Sequence, residues 1–375
     1  MASDSSVLTP VTFYSLVDQF TREVRRGTAP SIKAYVAKYP QFAEQILDLF
    51  PLIADLERCK SSQDAELVRQ NFPDEFPLRQ LGDYTLVREI GRGGMGIVFE
   101  AIHSPTSRTV AIKLLPGRDS KNLRRSKKRF HREAITIARF QHQNIVPVYS
   151  FGEHDGYCFY VMQLVQGIGL DRVIKKLRDS SDPVFCSTTS DLKNRDCAKT
   201  PSVRGIRRDS WKVFARIGIQ VATALTYAHQ RDVLHQDIKP ANLILNAAGK
   251  VVVTDFGGSY RPRTEPCRTT STTGTLMYLA PERLNGDSDA RSDVYSLGAT
   301  LYELVTRTPL FPGSDRARLP NLVLNAPPTR PTLLEKTLPI ELESIILRAL
   351  SKNPADRYAT AKALGDDLLR FVNLV

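Results

Sequence analysis

The chain has 375 residues, 42% of them hydrophobic and 25% charged, a composition that supports two or three compact units and excludes wholesale disorder. Lysine and arginine outnumber acids by 52 to 40, a net charge of +12, but the excess sits in 121–132, 204–208 and 261–268. Those segments lack interleaved aromatics, so they read as solvated surface and no nucleic acid partner is expected.

The five cysteines, Cys59, Cys158, Cys186, Cys197 and Cys267, are scattered and form no C-x-x-C pair. They fit a reducing compartment and exclude a disulfide scaffold or zinc cluster. The N-terminus lacks a basic stretch followed by a long apolar run, and nowhere do ~18 apolar residues follow one another. A soluble, cytoplasmic protein without a membrane span is expected, and because the chain ends soon after its last expected helix, no sensor or anchor is expected there.

Residues 1–70 read as a small helical leader. Phe13, Leu16, Val17, Phe20 and Val24 recur at helical steps, Gly27 stops them, Ser31 caps a second helix over 31–39, and a third spans 41–50 between Pro40 and Pro51. The apolar faces could pack on one another, on the following domain or on a partner. A linker, 71–82, carries Pro73 and Pro77.

From residue 83 the period changes. Segments 84–90, 96–102 and 109–115 are rich in β-branched and aromatic residues and read as antiparallel strands, 130–140 as a helix, and 145–151 and 158–163 as strands, giving a small lobe over 83–163. The remainder, 164–372, is mainly helical, with helices over 211–230, 292–306, 340–351 and 359–372 and short strands at 243–245 and 251–254. A mobile insert of Ser, Thr, Asp, Lys and Arg is expected over about 178–210. The fold class is α+β, with two lobes preceded by the leader.

Four constellations carry chemistry. Ile90, Gly91, Arg92, Gly93, Gly94, Met95, Gly96, Ile97 and Val98 form a G-x-G-x-x-G-x-V run between two expected strands, where missing side chains let backbone amides approach a polyphosphate. A dinucleotide-binding turn would instead join a strand to a helix. Val110, Ala111, Ile112 and Lys113 place an ammonium on an apolar strand, which needs a carboxylate partner, and Glu133 on the next helix supplies one.

His235, Gln236, Asp237, Ile238, Lys239, Pro240, Ala241 and Asn242 form a polar cluster between apolar runs. Asp237 can orient a hydroxyl nucleophile or accept its proton, Lys239 can neutralise a transferring phosphoryl, and Asn242 can bind magnesium. Asp255, Phe256 and Gly257 follow a strand, with Asp255 as a second magnesium ligand. Each short motif is common alone; four in this order are not.

From Asp83 to Phe371 the chain resembles the protein kinase family, and most closely the eukaryotic-like serine/threonine kinases of bacteria. The resemblance implies a two-lobed kinase fold, with a small antiparallel lobe carrying one helix and a large helical lobe. It also implies ATP and magnesium as cofactors, a protein substrate with a serine or threonine acceptor, self-association for trans-phosphorylation, and a role in signal transduction. Nucleotide contacts would come from Ile90 through Val98, Ala111, Lys113, Glu133, and the hinge residues Gln163 and Val165 that follow a gatekeeper Met162 and flank Leu164. Asp293 would brace the catalytic loop, Glu282 would pair with Arg357, and Gly274, Thr275, Ala280, Pro281 and Glu282 would end an activation segment. Lys239 and Thr275 point to the serine/threonine branch.

Two departures stand out. Gln236 occupies a position where most kinases carry an arginine that binds an activation-segment phosphate, which weakens the case for that mode of activation. Asp-Phe-Gly is followed by Gly258, Ser259 and Tyr260, then by seven hydroxyl residues between Thr264 and Thr275, among which Thr269, Thr270, Ser271, Thr272 and Thr273 are candidate self-phosphorylation sites or plain loop residues. Two rival classes are a scaffold that has lost catalysis, and a carrier whose leader and basic segments bind nucleic acid or membrane.

Overall fold

The computed structural model describes residues 16, 19–20, 23, 30–43, 46–47, 50, 80–93, 96–115, 137–154, 157–179, 206–256, 276–311 and 318–374. Within the leader, α1 (Ile32–Lys38) starts at Ser31, whose hydroxyl accepts from the Ala34 amide at 3.4 Å, the cap expected of this residue type. Leu16, Phe20, Tyr35, Ile46 and Phe50 bury one another, with Phe20 and Phe50 stacked at 4.2 Å. Leu324 of the large lobe lies against this cluster, so the described residues of the leader pack on one another and on the domain that follows.

The small lobe is one antiparallel sheet of β1 (Gln80–Leu81), β2 (Tyr84–Gly93), β3 (Gly96–His103), β4 (Arg108–Leu114), β5 (Val148–His154) and β6 (Tyr157–Gln163), in the order β1-β2-β3-β4-β6-β5. Its two faces bury different partners. Ile97, Phe99, Ala101, Val110, Ile112, Leu114, Phe159 and Val161 alternate along their strands into a core of the small lobe alone. The opposite face, with Ala111, Tyr160 and Met162, joins the core of the large lobe. A strand buried on both sides reads as a continuous apolar run instead of an alternating one, which is why 158–162 is apolar throughout and 110–114 is apolar but for Lys113.

Five strands were expected here and the sheet has six. The additional β1 lies in the segment read as linker, with Leu81 fully buried and Gly82 turning at φ +56° into β2. Two residues cannot display a period. The strand expected at 145–151 begins later, at Val148, because Ile145 instead bridges in parallel to Val253. Of the expected helix over 130–140, residues 130–136 lie outside the described residues, and Ile137 and Ala138 are helical.

The large lobe follows with β7 (Ile168–Gly169), α2 (Leu170–Asp179), α3 (Trp211–His229), β8 (Leu243–Leu245), β9 (Val251–Val253), α4 (Pro281–Leu284), α5 (Ala290–Thr306), α6 (Leu319–Asn325), α7 (Pro331–Leu334), α8 (Ile340–Ala349) and α9 (Ala361–Leu374). Strands β7, β8 and β9 form a second antiparallel sheet. Helix α5 is its axis, buried without a break from Ser292 to Thr306 and started by a capping box between Asp289 and Ser292. Both ends of the segment 178–210, expected as an insert, are ordered on the large lobe. Arg178 and Asp179 belong to α2, Ile206 is buried, and Arg208 donates to the carbonyls of Leu177 and Arg178 at 2.9 and 3.0 Å, so one residue of the basic run 204–208 caps a helix end. Residues 180–205 lie outside the described residues.

Glu282 and Arg357 form a two-bond fork, 2.8 and 2.7 Å, and the guanidinium also donates to the carbonyls of Ser351, Arg291 and Lys352. Ser292 donates to the same carboxylate at 2.6 Å. Arg357 has no exposed side-chain surface, so removing its counter-charge leaves a buried cation uncompensated. Glu282→Gln is expected to destabilise the fold by about 3–5 kcal/mol, read as a shift of the urea midpoint with an unchanged slope; a midpoint within error of the parent would overturn this assignment.

Candidate active site

Lys113 leaves β4 on the face turned toward the large lobe, the same face as Ala111, and in the ladder it stands opposite Tyr160 as Ala111 stands opposite Met162. Its ammonium is nearly buried and donates to Asp255 Oδ1 at 2.7 Å. Asp255 follows β9 with a left-handed backbone, φ +58°, which turns its carboxylate back toward the small lobe. Burial alone would raise its pKa, but the Lys113 charge and hydrogen bond outweigh that and hold it below the ordinary carboxylate value. The expected partner of Lys113, Glu133, lies outside the described residues, as do Gly94, Met95, Gly257 and Thr269 to Thr273.

Tyr160, which no sequence motif marked, brings a third group to the same carboxylate, its hydroxyl 3.4 Å from Asp255 Oδ1. Asp237 lies in the buried loop between α3 and β8. Lys239 Nζ donates to both its carboxylate oxygens at 2.8 and 3.1 Å, and the Asn242 amide donates to its main-chain oxygen and to Oδ2 at 2.8 and 3.0 Å. With that nitrogen engaged, the amide oxygen of Asn242 is the atom available to a cation. Asn242 and Asp255 therefore offer hard oxygen donors, the chemistry that magnesium requires, and the residues present fit that ion.

His235 ties this loop to Asp255. The Asp237 amide donates to His235 Nδ1 at 3.2 Å, so Nε2 carries the proton and donates to the Thr254 carbonyl at 3.0 Å. Complete burial lowers the His235 pKa, in keeping with that neutral tautomer. Thr254 in turn donates from its amide to the Asn242 carbonyl at 2.9 Å. The metal-ligand candidates and the catalytic candidate are thus joined through two residues, His235 and Thr254.

The glycine run closes the β2–β3 hairpin, with Gly93 paired to Gly96. Gly96 has φ +133°, and a Cβ there would lie 2.0 Å from the Leu114 carbonyl oxygen, so only glycine fits. At Gly91 the nearest atom to an added Cβ is 4.0 Å away. Packing within the chain does not demand glycine there, which fits a ligand that needs the backbone bare. Ile90, Val98, Leu164 and Val165 lie partly buried against the cluster that contains Ala111 and Met162, an apolar patch suited to a planar base. Gln163 ends β6 with its amide donated to the Pro147 carbonyl at 3.0 Å. Two residues of the run turn their side chains elsewhere, which leaves the expected backbone contacts untouched. Ile97 points into the small-lobe core, since β3 alternates, and the guanidinium of Arg92 forks onto Glu89 at 3.0 and 2.6 Å.

Asp293, in the first turn of α5, has no exposed surface. It accepts from the amides of His235 and Gln236 at 2.8 and 2.7 Å and meets His229 Nε2 at 2.9 Å. Burial raises its pKa, yet the His229 hydrogen bond and electrostatic attraction, with the Gln236 amide, hold it below the ordinary carboxylate value. A carboxyl whose native pKa is depressed binds fewer protons folded than unfolded, so its stabilisation is full above the ordinary carboxylate value and is lost as the pH falls through the native one. Asp255 and Glu282 share that direction. Stability is expected to fall steeply below about pH 4, and Asp293→Asn to flatten that acid limb in urea titrations at stepped pH while lowering the neutral plateau; an unchanged limb would contradict it.

The protein kinase domain model matches residues 84–369. Serine/threonine-protein kinase PknH of Mycobacterium tuberculosis is 32% identical over 282 residues, 75% of this chain and 40% of that protein, and PknE of the same organism is 32% identical over 286 residues, 75% of this chain and 44% of that protein. The chain thus spans about two fifths of the length of these curated relatives. The crystal structure of the M. tuberculosis PknI kinase domain superposes with a TM-score of 0.54 and 28% identity over 78% of this chain and 97% of that one. With its two lobes, glycine hairpin and buried catalytic loop, the chain belongs to the protein kinase family, in the eukaryotic-like serine/threonine branch of bacteria.

Proposed function

We propose that the chain transfers the γ-phosphoryl group of ATP to serine or threonine hydroxyls of proteins, its own included, in the cytoplasm. The observation that carries this is the convergence of Lys113, Asp237, Lys239, Asn242 and Asp255, residues spread over three segments, into one hydrogen-bonded set between the lobes. Every one of these positions is filled by a residue able to do the chemistry, so a scaffold that has lost catalysis is not favoured.

In the transfer, a bond forms between the acceptor hydroxyl oxygen and phosphorus as the bond from phosphorus to the ADP oxygen breaks. Asp237 orients the hydroxyl and receives its proton. Lys239, within reach of both Asp237 oxygens, holds that carboxylate in place and sets a positive charge beside the moving phosphoryl. Lys113 would exchange its bond to Asp255 for phosphate oxygens of the bound nucleotide, and Asp255 and Asn242 would hold magnesium, which would supply charge neutralisation at the phosphates. The apolar patch around Ala111 and Val165 takes the base. Lys239 and Thr275 support serine and threonine as acceptors, and transfer between copies would make the rate per chain rise with chain concentration.

Labelled ATP with magnesium tests this on the chain itself and on a generic basic acceptor. Wild type is expected to form phosphoserine or phosphothreonine, with Lys113→Met reducing kcat by about 10²–10³-fold and Asp237→Ala by about 10²–10⁴-fold. Transfer that is equal in all three proteins, or absent from wild type with nucleotide bound, would overturn the proposal.

A further inference from the structure

The backbone of Gln236, the residue before Asp237, is held from two sides. Its amide donates to Asp293 Oδ1 at 2.7 Å. Its carbonyl accepts from Arg283 Nη1. Arg283 belongs to α4, at the far end of the segment that separates Asp255 from α5, and is only 7% exposed. Gln236 itself has a left-handed backbone, φ +63°, which a side-chain-bearing residue adopts only where the surroundings enforce it. Its side chain is buried too, with Nε2 donating to Ser288 at 3.2 Å and Oε1 buried without a hydrogen bond.

We propose that Arg283 is a positioning residue for catalysis: its guanidinium, gripping the Gln236 carbonyl opposite Asp293, holds the strained turn that places the Asp237 carboxylate. A buried cation stabilised by a main-chain carbonyl restricts what position 236 can carry. A second guanidinium at 236 would leave the same residue that Arg283 binds and meet its charge in a medium that screens poorly, whereas the neutral amide of Gln236 does not. Gln236 and Arg283 therefore act as a pair. The role of Arg283 in catalysis rests on the phosphoryl transfer proposed above; its grip on the turn does not.

The test uses the full chain as wild type, Arg283→Gln, Arg283→Lys, Gln236→Arg and the double variant Gln236→Arg with Arg283→Gln. Arg283→Gln is expected to lower kcat by about tenfold or more while KM for ATP stays within about twofold, with partial recovery in Arg283→Lys. Gln236→Arg should be impaired as well, and the double variant less impaired than Gln236→Arg alone. Amide hydrogen exchange over 235–237 reads the grip whether or not transfer is observed, and should quicken in Arg283→Gln at temperatures where the chain remains folded. Unchanged exchange over 235–237, or losses that add in the double variant, would overturn the proposal. Faster exchange in a chain whose wild type transfers no phosphate would keep the grip and refute only the catalytic reading.

Discussion

A carboxylate without solvent, Asp293 at the start of α5, is the point from which the rest of the active centre hangs. Stripping a carboxylate of water costs several kcal/mol unless donors replace the water, and here two main-chain amides and a histidine do so. The first turn of a helix adds the positive end of its dipole. Because both amides come from adjacent residues, His235 and Gln236, the direction of the chain into Asp237 is fixed by one side chain. His235 then carries that order to Thr254, one residue before Asp255.

The small lobe meets this centre through the back face of its sheet. Strands β4 and β6 bury one face among themselves and the other against the large lobe, so Lys113 emerges from within an apolar layer and has the Asp255 carboxylate as a described partner across the lobe boundary. A lysine so placed is more than a surface charge. Its bond to Asp255 links the two lobes electrostatically, and it is the bond that a nucleotide would have to share.

What the sequence disclosed and what it hid divide along a physical line. Residues whose role is local were legible: the glycine hairpin, the buried lysine strand, the polar loop at 235–242 and the Ser31 cap each follow from neighbours a few positions away. Bonds across long separations were not. His229 and Tyr160 sit in segments whose periodicity reports only helix or strand, Arg283 in a four-residue helix and Ser288 in a loop, and nothing local distinguishes them from packing or surface residues. Short elements such as β1, β7 and α7 were missed because two to four residues cannot show a period. The Glu282 and Arg357 fork and the Asp293 brace, also distant in sequence, came only from resemblance, since no spacing rule predicts them.

The central claim is that Asp255 and Asn242 form one metal site beside Asp237, with Lys113 serving the phosphates. A crystal structure of the chain with magnesium and a non-hydrolysable ATP analogue addresses it most directly. The account expects magnesium bonded to Asp255 and Asn242, the base against Ala111 and Val165, and Lys113 within hydrogen-bond distance of phosphate oxygens. Nucleotide bound elsewhere, or bound in the cleft with neither Asp255 nor Asn242 on the metal, would contradict it.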